Sequence, residues 1–242
     1  MRFSIGTTNP NKVRELAAIL RPLEIPLEVT DPIDPEETGE TFEENAAIKA
    51  RAYGQHVGQQ LAVAFVRAGA TDADVRTFLR MSRMWTISED SGLVIPALGG
   101  LPGPWSARFV ECEIVDHRVV RHIPTGSPRE AIDVLNNEAV LGLLEGIEQP
   151  RRAAKFVVAL MVADTEGEIL FHAKGEAHGW IVEDPRGNNG FGYDPIFASD
   201  RSFGKTWAEI DPMRKNLISH RRRALQEFTA WLGTQLRKLE DE

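Results

Sequence analysis

The chain opens with the stretch RFSIGTTNPNKVRELAAIL at residues 2–20, which carries the clearest structural signals of the sequence. Residues 2–6 have the composition of a short strand, and apolar residues then recur at helical spacing. Asn9 is a favoured N-cap residue, and Pro10 suits the first helical position. We therefore predict a strand, a polar loop and a helix that ends at about Arg21.

The segments that follow alternate between helical and extended patterns. In chain order they predict a short strand and turn over 28–35, a helix from Thr41 to about His56 and a helix over 71–83. A strand over 85–88 follows and ends at Glu89 and Asp90, before a Ser-Gly turn. Glu44 follows Thr41 at the spacing of a capping box, and Thr71 is an N-cap candidate. The first half of the chain therefore contains both helices and strands.

Consecutive strands distinguish the second half. The pattern predicts a mostly helical region over 128–146, a buried strand over 155–163, a turn at 164–167, strands over 168–173 and 177–183, and a helix that restarts at Asp211. Strands joined by a tight turn pair antiparallel, so the sheet should combine parallel and antiparallel strands. We therefore expect an α/β fold built around a mixed β-sheet.

Composition excludes several classes of protein. With 42% hydrophobic and 26% charged residues, the chain has an ordinary globular composition. The longest apolar run, at 156–163, is far shorter than the roughly 20 residues of a membrane span, and we expect a cytoplasmic protein without a membrane segment. A net charge of −8 argues against general nucleic-acid binding. Cys112 is the only cysteine, which excludes an intrachain disulfide and a thiolate metal cluster.

Two groups of cations stand out in this acidic chain. Lys12 lies in the first turn of the predicted first helix, where the positive end of the helix dipole makes a cation unfavourable by a few tenths of a kcal/mol. The loop 7–11 supplies hydroxyl, amide and backbone N–H groups at the same helix end, as phosphate-binding loops do. Near the C-terminus, His220 and Arg221 lie beside Lys215. Both groups could bind phosphate or another anion, although each alone also fits a structural explanation, an exposed lysine for Lys12 and a solvated helix face for the C-terminal group.

Four carboxylates could balance these cations. They are Glu43, Glu44, Glu89 and Asp90. Hard oxygen ligands in this number suit Mg²⁺, which takes one or two carboxylates together with substrate phosphates. Glu44 also fits a purely structural role in the capping box, and Asp90 could simply build a turn.

A glycine-rich loop surrounds an aromatic residue at 187–195, with the sequence GNNGFGYDP. Glycines on both sides of Phe191 allow close approach and leave its ring available for stacking on a planar base. Asp194 is suitably placed to accept hydrogen bonds from ring N–H groups. The alternative is a loop that only turns a corner, with Phe191 in the core.

Six ordered motifs together resemble the inosine triphosphate pyrophosphatase family. They are TNPNK at 8–12, TFEENA at 41–46, SEDSGL at 88–93, GGLPG at 99–103, GFGYDP at 190–195 and ISHR at 218–221. The resemblance implies a single two-lobed domain over residues 1–242, an active-site cleft between the lobes and a homodimer. It also implies Mg²⁺-dependent hydrolysis of non-standard purine nucleoside triphosphates (ITP, dITP, XTP) to the monophosphate and pyrophosphate.

The resemblance assigns roles residue by residue. Asp90 matches the general base, with Lys12 as a second catalytic residue, and Glu44, Glu89 and Asp90 match the metal ligands. The substrate-binding positions are Thr7, Thr8, Asn9, Pro10, Asn11, Lys12, Lys49, Ser91, Phe191, Gly192, Tyr193, Asp194, Lys215, His220 and Arg221. Donors at His220 and Arg221 would favour a 6-oxo purine over a 6-amino purine.

The chain departs from the family pattern by insertions near residues 61–83 and 110–150, and Trp105 stands where the family tends to carry Tyr. Two alternatives to the purine pyrophosphatase remain open. One is a pyrophosphatase for modified pyrimidine nucleotides, against which the Ser-His-Arg segment argues. The other is a purine-nucleotide sensor without catalysis, which would not require Asp90 and Glu44.

Overall fold

The computed structural model describes residues 2–240. Its strands and helices, in chain order, are β1 (Arg2–Ile5), α1 (Pro10–Leu20), β2 (Leu27–Val29), α2 (Phe42–Arg67), α3 (Asp72–Met81), β3 (Met84–Val94), β4 (Cys112–Val115), β5 (Arg118–His122), α4 (Arg129–Leu143), β6 (Ala153–Ala163), β7 (Ile169–Ile181), β8 (Phe197–Ser199), α5 (Pro212–Ile218) and α6 (His220–Glu240). Over these residues, no helix combines the length and the apolar character that a membrane crossing requires.

Six strands form one sheet in the order β2-β1-β3-β6-β7-β8. β1 pairs parallel with both β2 and β3, whereas β7 and β8 are antiparallel. β4 and β5 form a separate antiparallel pair. The predicted α/β fold around a mixed sheet is therefore confirmed.

The chain divides into two compact units. The first unit comprises Met1–Asp90, Ala159–Lys174 and Ala224–Glu242, and the second comprises Ser91–Val158 and Gly175–Arg223. In the second unit, the apolar core includes Leu93, Phe109, Phe197 and Trp207, all of them almost fully buried. In the first unit, Phe3 and Phe228 pack edge to face with ring centroids 5.4 Å apart. Each unit thus has its own packed interior.

The start of α1 matches its prediction. The Asn9 side chain accepts hydrogen bonds from the backbone N–H groups of Asn11 and Lys12, at 2.9 and 3.3 Å, and Pro10 occupies the first turn. These bonds satisfy two of the N–H groups that every helix leaves unpaired at its start. The loop before α1 is thereby fixed to the helix that follows it.

α2 continues to Arg67, so the predicted end at about His56 is wrong. The two glycines near that point do not end the helix, because they serve close packing instead. A Cβ on Gly54 would lie 2.3 Å from the carbonyl oxygen of Asp164, and one on Gly58 would lie equally close to that of Thr165. Glycine therefore lets α2 approach the turn after β6.

α3 forms where Thr71 predicts it, with a capping box between Thr71 and Asp74. Its Phe78 ring stacks on Phe65 of α2, with centroids 3.9 Å apart. The stack shows that the two helices of the 61–83 region pack on each other.

Two strand predictions are too short. β3 runs through Val94, so Glu89, Asp90 and Ser91 lie within the strand and do not precede a turn. A Cβ on Gly92 would lie 2.2 Å from Ser106 Oγ, which explains a glycine in an extended strand. β7 is one continuous strand over residues predicted as two, and its Gly179 packs directly against the Ala198 carbonyl oxygen of β8.

Candidate active site

The loop between β1 and α1 holds the first group of predicted phosphate contacts. Thr7 Oγ1 accepts a hydrogen bond from the Asn9 backbone N–H at 3.2 Å. Asn9 itself uses its side-chain oxygen to cap α1. The loop Thr7 to Asn11 is thus preorganised at a helix N-terminus, where the helix dipole favours an anion.

Lys12 forms an ion pair in the interior of the first unit. Its Nζ lies 3.1 Å from Glu89 Oε1, and Glu89 is fully buried. A carboxylate taken out of water needs a compensating charge. The attraction between Lys12 and Glu89 therefore offsets the unfavourable interaction of Lys12 with the helix dipole.

Lys49 lies between two carboxylates. Its Nζ is 2.8 Å from Asp90 Oδ1 and 3.3 Å from Glu37 Oε1. Lys49 and Asp90 are both buried, whereas Glu37 is partly exposed. Burial raises the pKa of Asp90, and the Lys49 ammonium opposes that rise. Burial by itself would lower the pKa of Lys49, but Asp90 and Glu37 outweigh it and the net shift is upward.

The two oxygens of Asp90 differ in their environment. Oδ1 accepts from Lys49, whereas Oδ2 is buried and has no hydrogen-bond partner within the described part of the chain. A buried polar atom without a partner is uncommon, because it loses its hydrogen bonds to water. Asp90 Oδ2 is therefore free to accept a proton or a hydrogen bond from a ligand or water.

Glu89 and Asp90 are consecutive in β3, so their side chains point to opposite faces of the strand. Each carboxylate accordingly has a different lysine partner, Lys12 from α1 and Lys49 from α2. The alternation of side chains along β3 thus separates the two acids.

Glu44 forms the capping box that Thr41 predicts. Its Oε2 accepts from the backbone N–H groups of Glu40 and Thr41 at 2.7 and 3.0 Å, and these bonds lower its pKa. The side chain is exposed at the start of α2. Among residues 2–240, no three His, Cys, Asp or Glu side chains form a group that could hold a metal ion. The metal roles of Glu44, Glu89 and Asp90 stay predictions.

The predicted base-binding residues come together in the second unit. Lys215 Nζ lies 2.5 Å from Asp194 Oδ2, and both residues are almost completely buried. The same ammonium lies 4.7 Å from the centroid of the Phe191 ring, within cation–π range. The Phe191 backbone N–H also donates to Asp194 Oδ2, at 2.9 Å. Asp194 thus links the aromatic loop to α5.

Arg221 and Ser91 complete this group. The Arg221 guanidinium donates to Ser91 Oγ at 2.8 Å, and its carbon lies 5.7 Å from the centroid of Phe191. The ring of Phe191 therefore has two cations near it. It is only partly buried, so it is not the core residue that the corner-turning alternative requires.

His220 and Tyr193 are more deeply buried than Phe191. The His220 ring stacks on Phe156 and Trp207, with centroids 5.1 and 5.7 Å away. Tyr193 is buried, and its hydroxyl donates to the Ser106 carbonyl oxygen at 3.0 Å. Burial raises the pKa of Tyr193 well above its usual value. The Tyr193 side chain thus packs in the core.

Sequence reasoning missed two residues of these groups. Glu37 belongs to the Lys49 ion pairs, and its only signal is the acidic run that precedes α2. Trp207 is fully buried, and its ring centroid lies 5.2 Å from Lys215 Nζ. No pattern distinguishes this tryptophan from an ordinary core residue.

Comparison with known proteins gives consistent results. Residues 3–231 match a protein-family model described as the Ham1 family. A dITP/XTP pyrophosphatase of Bacillus licheniformis is 35% identical over 94% of this chain and 96% of the relative. One of Bacillus subtilis is 37% identical over 94% and 95%. A solved HAM1 protein of Coxiella burnetii has a TM-score of 0.69 and 30% identity over 97% of this chain and 99% of that one.

Proposed function

The chain belongs to the Ham1 family, and from this premise we propose that it hydrolyses ITP, dITP and XTP to the monophosphate and pyrophosphate with Mg²⁺. The family match confirms the resemblance indicated by the six motifs. The observation that carries the proposal is the buried Asp90, with Oδ1 bound to Lys49 and Oδ2 without a partner in the described part of the chain.

Asp90 acts as the general base. Its Oδ2 accepts a proton from a water molecule while the water oxygen forms a bond to the α-phosphorus. The bond from that phosphorus to the bridging oxygen of the β-phosphate breaks, and pyrophosphate leaves with the electron pair. Burial raises the pKa of Asp90, which makes the carboxylate a stronger base, and Lys49 favours its ionised form.

Lys12, Lys49 and the loop Thr7 to Asn11, all in the first unit, bind the triphosphate. The helix N-terminus and the ammonium groups offer positive charge in an otherwise acidic protein. Each lysine is paired with a buried carboxylate, so its ammonium is held in position before substrate arrives. Preorganised charge is the main source of stabilisation for the transition state of phosphoryl transfer.

The donor set suits Mg²⁺. Glu44, Glu89 and Asp90 are hard oxygen donors, and Mg²⁺ needs only one or two carboxylates beside substrate phosphates. Because Glu89 and Asp90 point to opposite faces of β3, Glu44 would hold the ion with only one of them, and Glu89 in that role leaves Asp90 Oδ2 to act as the base. When bound, the metal would neutralise charge on the phosphate oxygens.

Phe191 stacks on the purine ring, and Asp194, Lys215, His220 and Arg221 recognise its polar edge. Lys215 and Arg221 can donate hydrogen bonds but cannot accept them, whereas Asp194 accepts from ring N–H groups. The two cations therefore match the 6-oxo group of hypoxanthine or xanthine, and Asp194 matches a ring N–H, whereas the 6-amino group of adenine would face donors. A site built for one pattern discriminates strongly against the other, because buried polar groups would be left unpaired.

A panel of nucleoside triphosphates with Mg²⁺ tests the proposal. We expect ITP, dITP and XTP to be the best substrates and ATP to be used at least tenfold less efficiently, measured as kcat/KM. Preference for a modified pyrimidine triphosphate, or tight purine binding without turnover, would contradict it in favour of one of the two alternatives.

The homodimer and the cytoplasmic location are part of the same proposal. The homodimer rests on the resemblance to the family, whereas the cytoplasmic location rests on the composition of the sequence. Sedimentation of the purified protein at assay concentration should give a mass of about twice 26.9 kDa, and a monomer would contradict the dimer.

A further inference from the structure

Both backbone polar groups of Gly192 are held by side chains of α4. The Gly192 N–H donates to Asp133 Oδ2 at 3.1 Å, and the Gly192 carbonyl oxygen accepts from Asn137 Nδ2 at 3.0 Å. Asp133 and Asn137 are four residues apart, so they lie on one face of the helix. We call this pair the Gly192 clamp.

The clamped residue is a glycine, whose backbone benefits from support by other groups. Gly192 has φ of +61°, in the left-handed region, and no atom would contact a Cβ built on it. Glycine reaches many other conformations at low energy, so the loop gains little stiffness from Gly192 itself. The two hydrogen bonds to its peptide groups oppose rotation about φ and ψ of Gly192, which would otherwise move the adjacent Phe191.

The clamp is itself well anchored. The neighbouring Asn136 accepts from the Val110 N–H at 2.8 Å and donates to the Ser106 carbonyl oxygen at 3.3 Å. Arg129, one turn before Asp133, places Nε 2.9 Å from Asp133 Oδ1. Ion pairing on one oxygen therefore leaves the other directed at Gly192.

We propose that Asp133 and Asn137 are positioning residues for base recognition, which they control through Gly192 without touching the substrate. By fixing Gly192 they hold the Phe191 ring beside the Lys215 ammonium, 4.7 Å from its centroid. This proposal rests on the proposed function, since it assumes that Phe191 stacks on a purine. It predicts weaker substrate binding, with little change in the chemical step, when the clamp is broken.

Two substitutions break the clamp in different ways. Asp133→Ala removes the acceptor for the Gly192 N–H. Asn137→Asp keeps the size of the side chain but replaces the donor with a carboxylate that repels the Gly192 carbonyl oxygen. Asp133→Asn is the conservative variant, because an amide oxygen can still accept from Gly192. Glu138→Ala is the matched control, since Glu138 is an exposed residue of the same helix.

The first readout is the hydrogen exchange of the Gly192 amide, measured by NMR on the complete protein. We expect exchange to accelerate by about tenfold or more in Asp133→Ala, and to stay within twofold of the unmodified rate in Glu138→Ala. Unchanged protection of Gly192 in Asp133→Ala would overturn the clamp, whatever the protein hydrolyses.

The second readout is steady-state kinetics with ITP. We expect KM to rise about tenfold in Asp133→Ala and in Asn137→Asp while kcat changes less than threefold, and Asp133→Asn to recover most of the loss. Equal KM values in both disruptive variants and the unmodified protein would overturn the positioning role. If Asp133→Ala does not fold, the KM of Asn137→Asp alone tests the positioning role. If the unmodified protein does not hydrolyse ITP, the proposed function fails, and the exchange experiment still tests the clamp.

Discussion

Lys49 Nζ lies 2.8 Å from Asp90 Oδ1, although 41 residues separate the two in the chain and both side chains are buried. The ion pair joins α2 to β3. It binds one oxygen of the carboxylate and leaves the other buried and without a partner in the described part of the chain. This division of the two oxygens is what the proposed role of Asp90 as a base requires.

Asp90→Asn should reduce turnover of ITP by about 10² to 10⁴, because an amide keeps the shape of the side chain but cannot accept the proton. ITP should still bind, since the phosphate and base contacts remain. Steady-state kinetics together with direct binding of ITP separate the two effects. A turnover rate in the variant close to that of the unmodified protein would contradict the assignment of Asp90 as the base.

Glu37→Gln is the matched control for this change. Glu37 also contacts Lys49, at 3.3 Å, but it is partly exposed. Its removal leaves the pair of Lys49 and Asp90 intact, so we expect turnover within about threefold of the unmodified protein.

Lys12→Met should destabilise the protein by about 3 kcal/mol, because Glu89 would stay fully buried without this ammonium. The helix dipole alone predicts the opposite sign, an increase of about 0.3 to 1 kcal/mol in the free energy of unfolding. The ion pair is the larger effect. Denaturant unfolding measures the change, and the double variant Lys12→Met/Glu89→Gln should recover part of it. A Lys12→Met protein as stable as the unmodified one would show that the pair contributes little.

Glu44→Gln distinguishes a metal ligand from a capping residue. Either side chain can serve in the capping box, so a purely structural Glu44 tolerates Gln. If Glu44 is instead a ligand of Mg²⁺, the amide of Gln binds the metal more weakly than the carboxylate, and activity should recover only at higher metal concentration. The measurement is ITP turnover against Mg²⁺ concentration, and we expect the curve of the variant to shift to higher Mg²⁺. Coincident curves for the variant and the unmodified protein would show that Glu44 is not a ligand of the metal.

Tyr193→Phe should change the stability at alkaline pH. Because the pKa of Tyr193 is raised in the folded protein from its ordinary value of 10.0, only the unfolded chain ionises this phenol readily. Its contribution is therefore fully present below pH 10 and is lost as the pH rises above 10. At pH 8 we expect the variant to be about 1 kcal/mol less stable, since the Ser106 carbonyl oxygen retains its bond from Asn136.

Above pH 10 the difference between the two proteins should shrink. Denaturant unfolding between pH 8 and pH 11 measures it. Cys112, whose pKa burial raises to about 11, is present in both proteins, so a Cys112→Ser background removes its titration from the comparison. A constant difference across this range would contradict the buried, neutral phenol.

Local signals in the sequence predict the starts of helices well. Asn9, Thr41, Thr71 and Asp211 are N-caps, and each accepts a hydrogen bond from the first turn of its helix. These contacts span two or three residues, so a short stretch of sequence contains everything that determines them. The loop before α1 and the capping box at Glu44 could be derived in this way.

Contacts between distant segments could not be derived from the sequence. β3 extends to Val94, and α2 continues past Gly54, because each packs closely on another part of the chain at a glycine. The ion pairs of Lys12 and Lys49, and the clamp on Gly192, likewise join residues far apart in the sequence. Residue type predicted that Lys12 and Asp90 matter, but only the fold identifies their partners.

The products of ITP hydrolysis test the central claim most directly. ITP is incubated with the unmodified protein and Mg²⁺, with Asp90→Asn in parallel, and pyrophosphate, orthophosphate, IMP and IDP are quantified. Cleavage between the α- and β-phosphates predicts equimolar IMP and pyrophosphate, formed only slowly by Asp90→Asn. Release of orthophosphate with IDP, or equal rates for the two proteins, would contradict it.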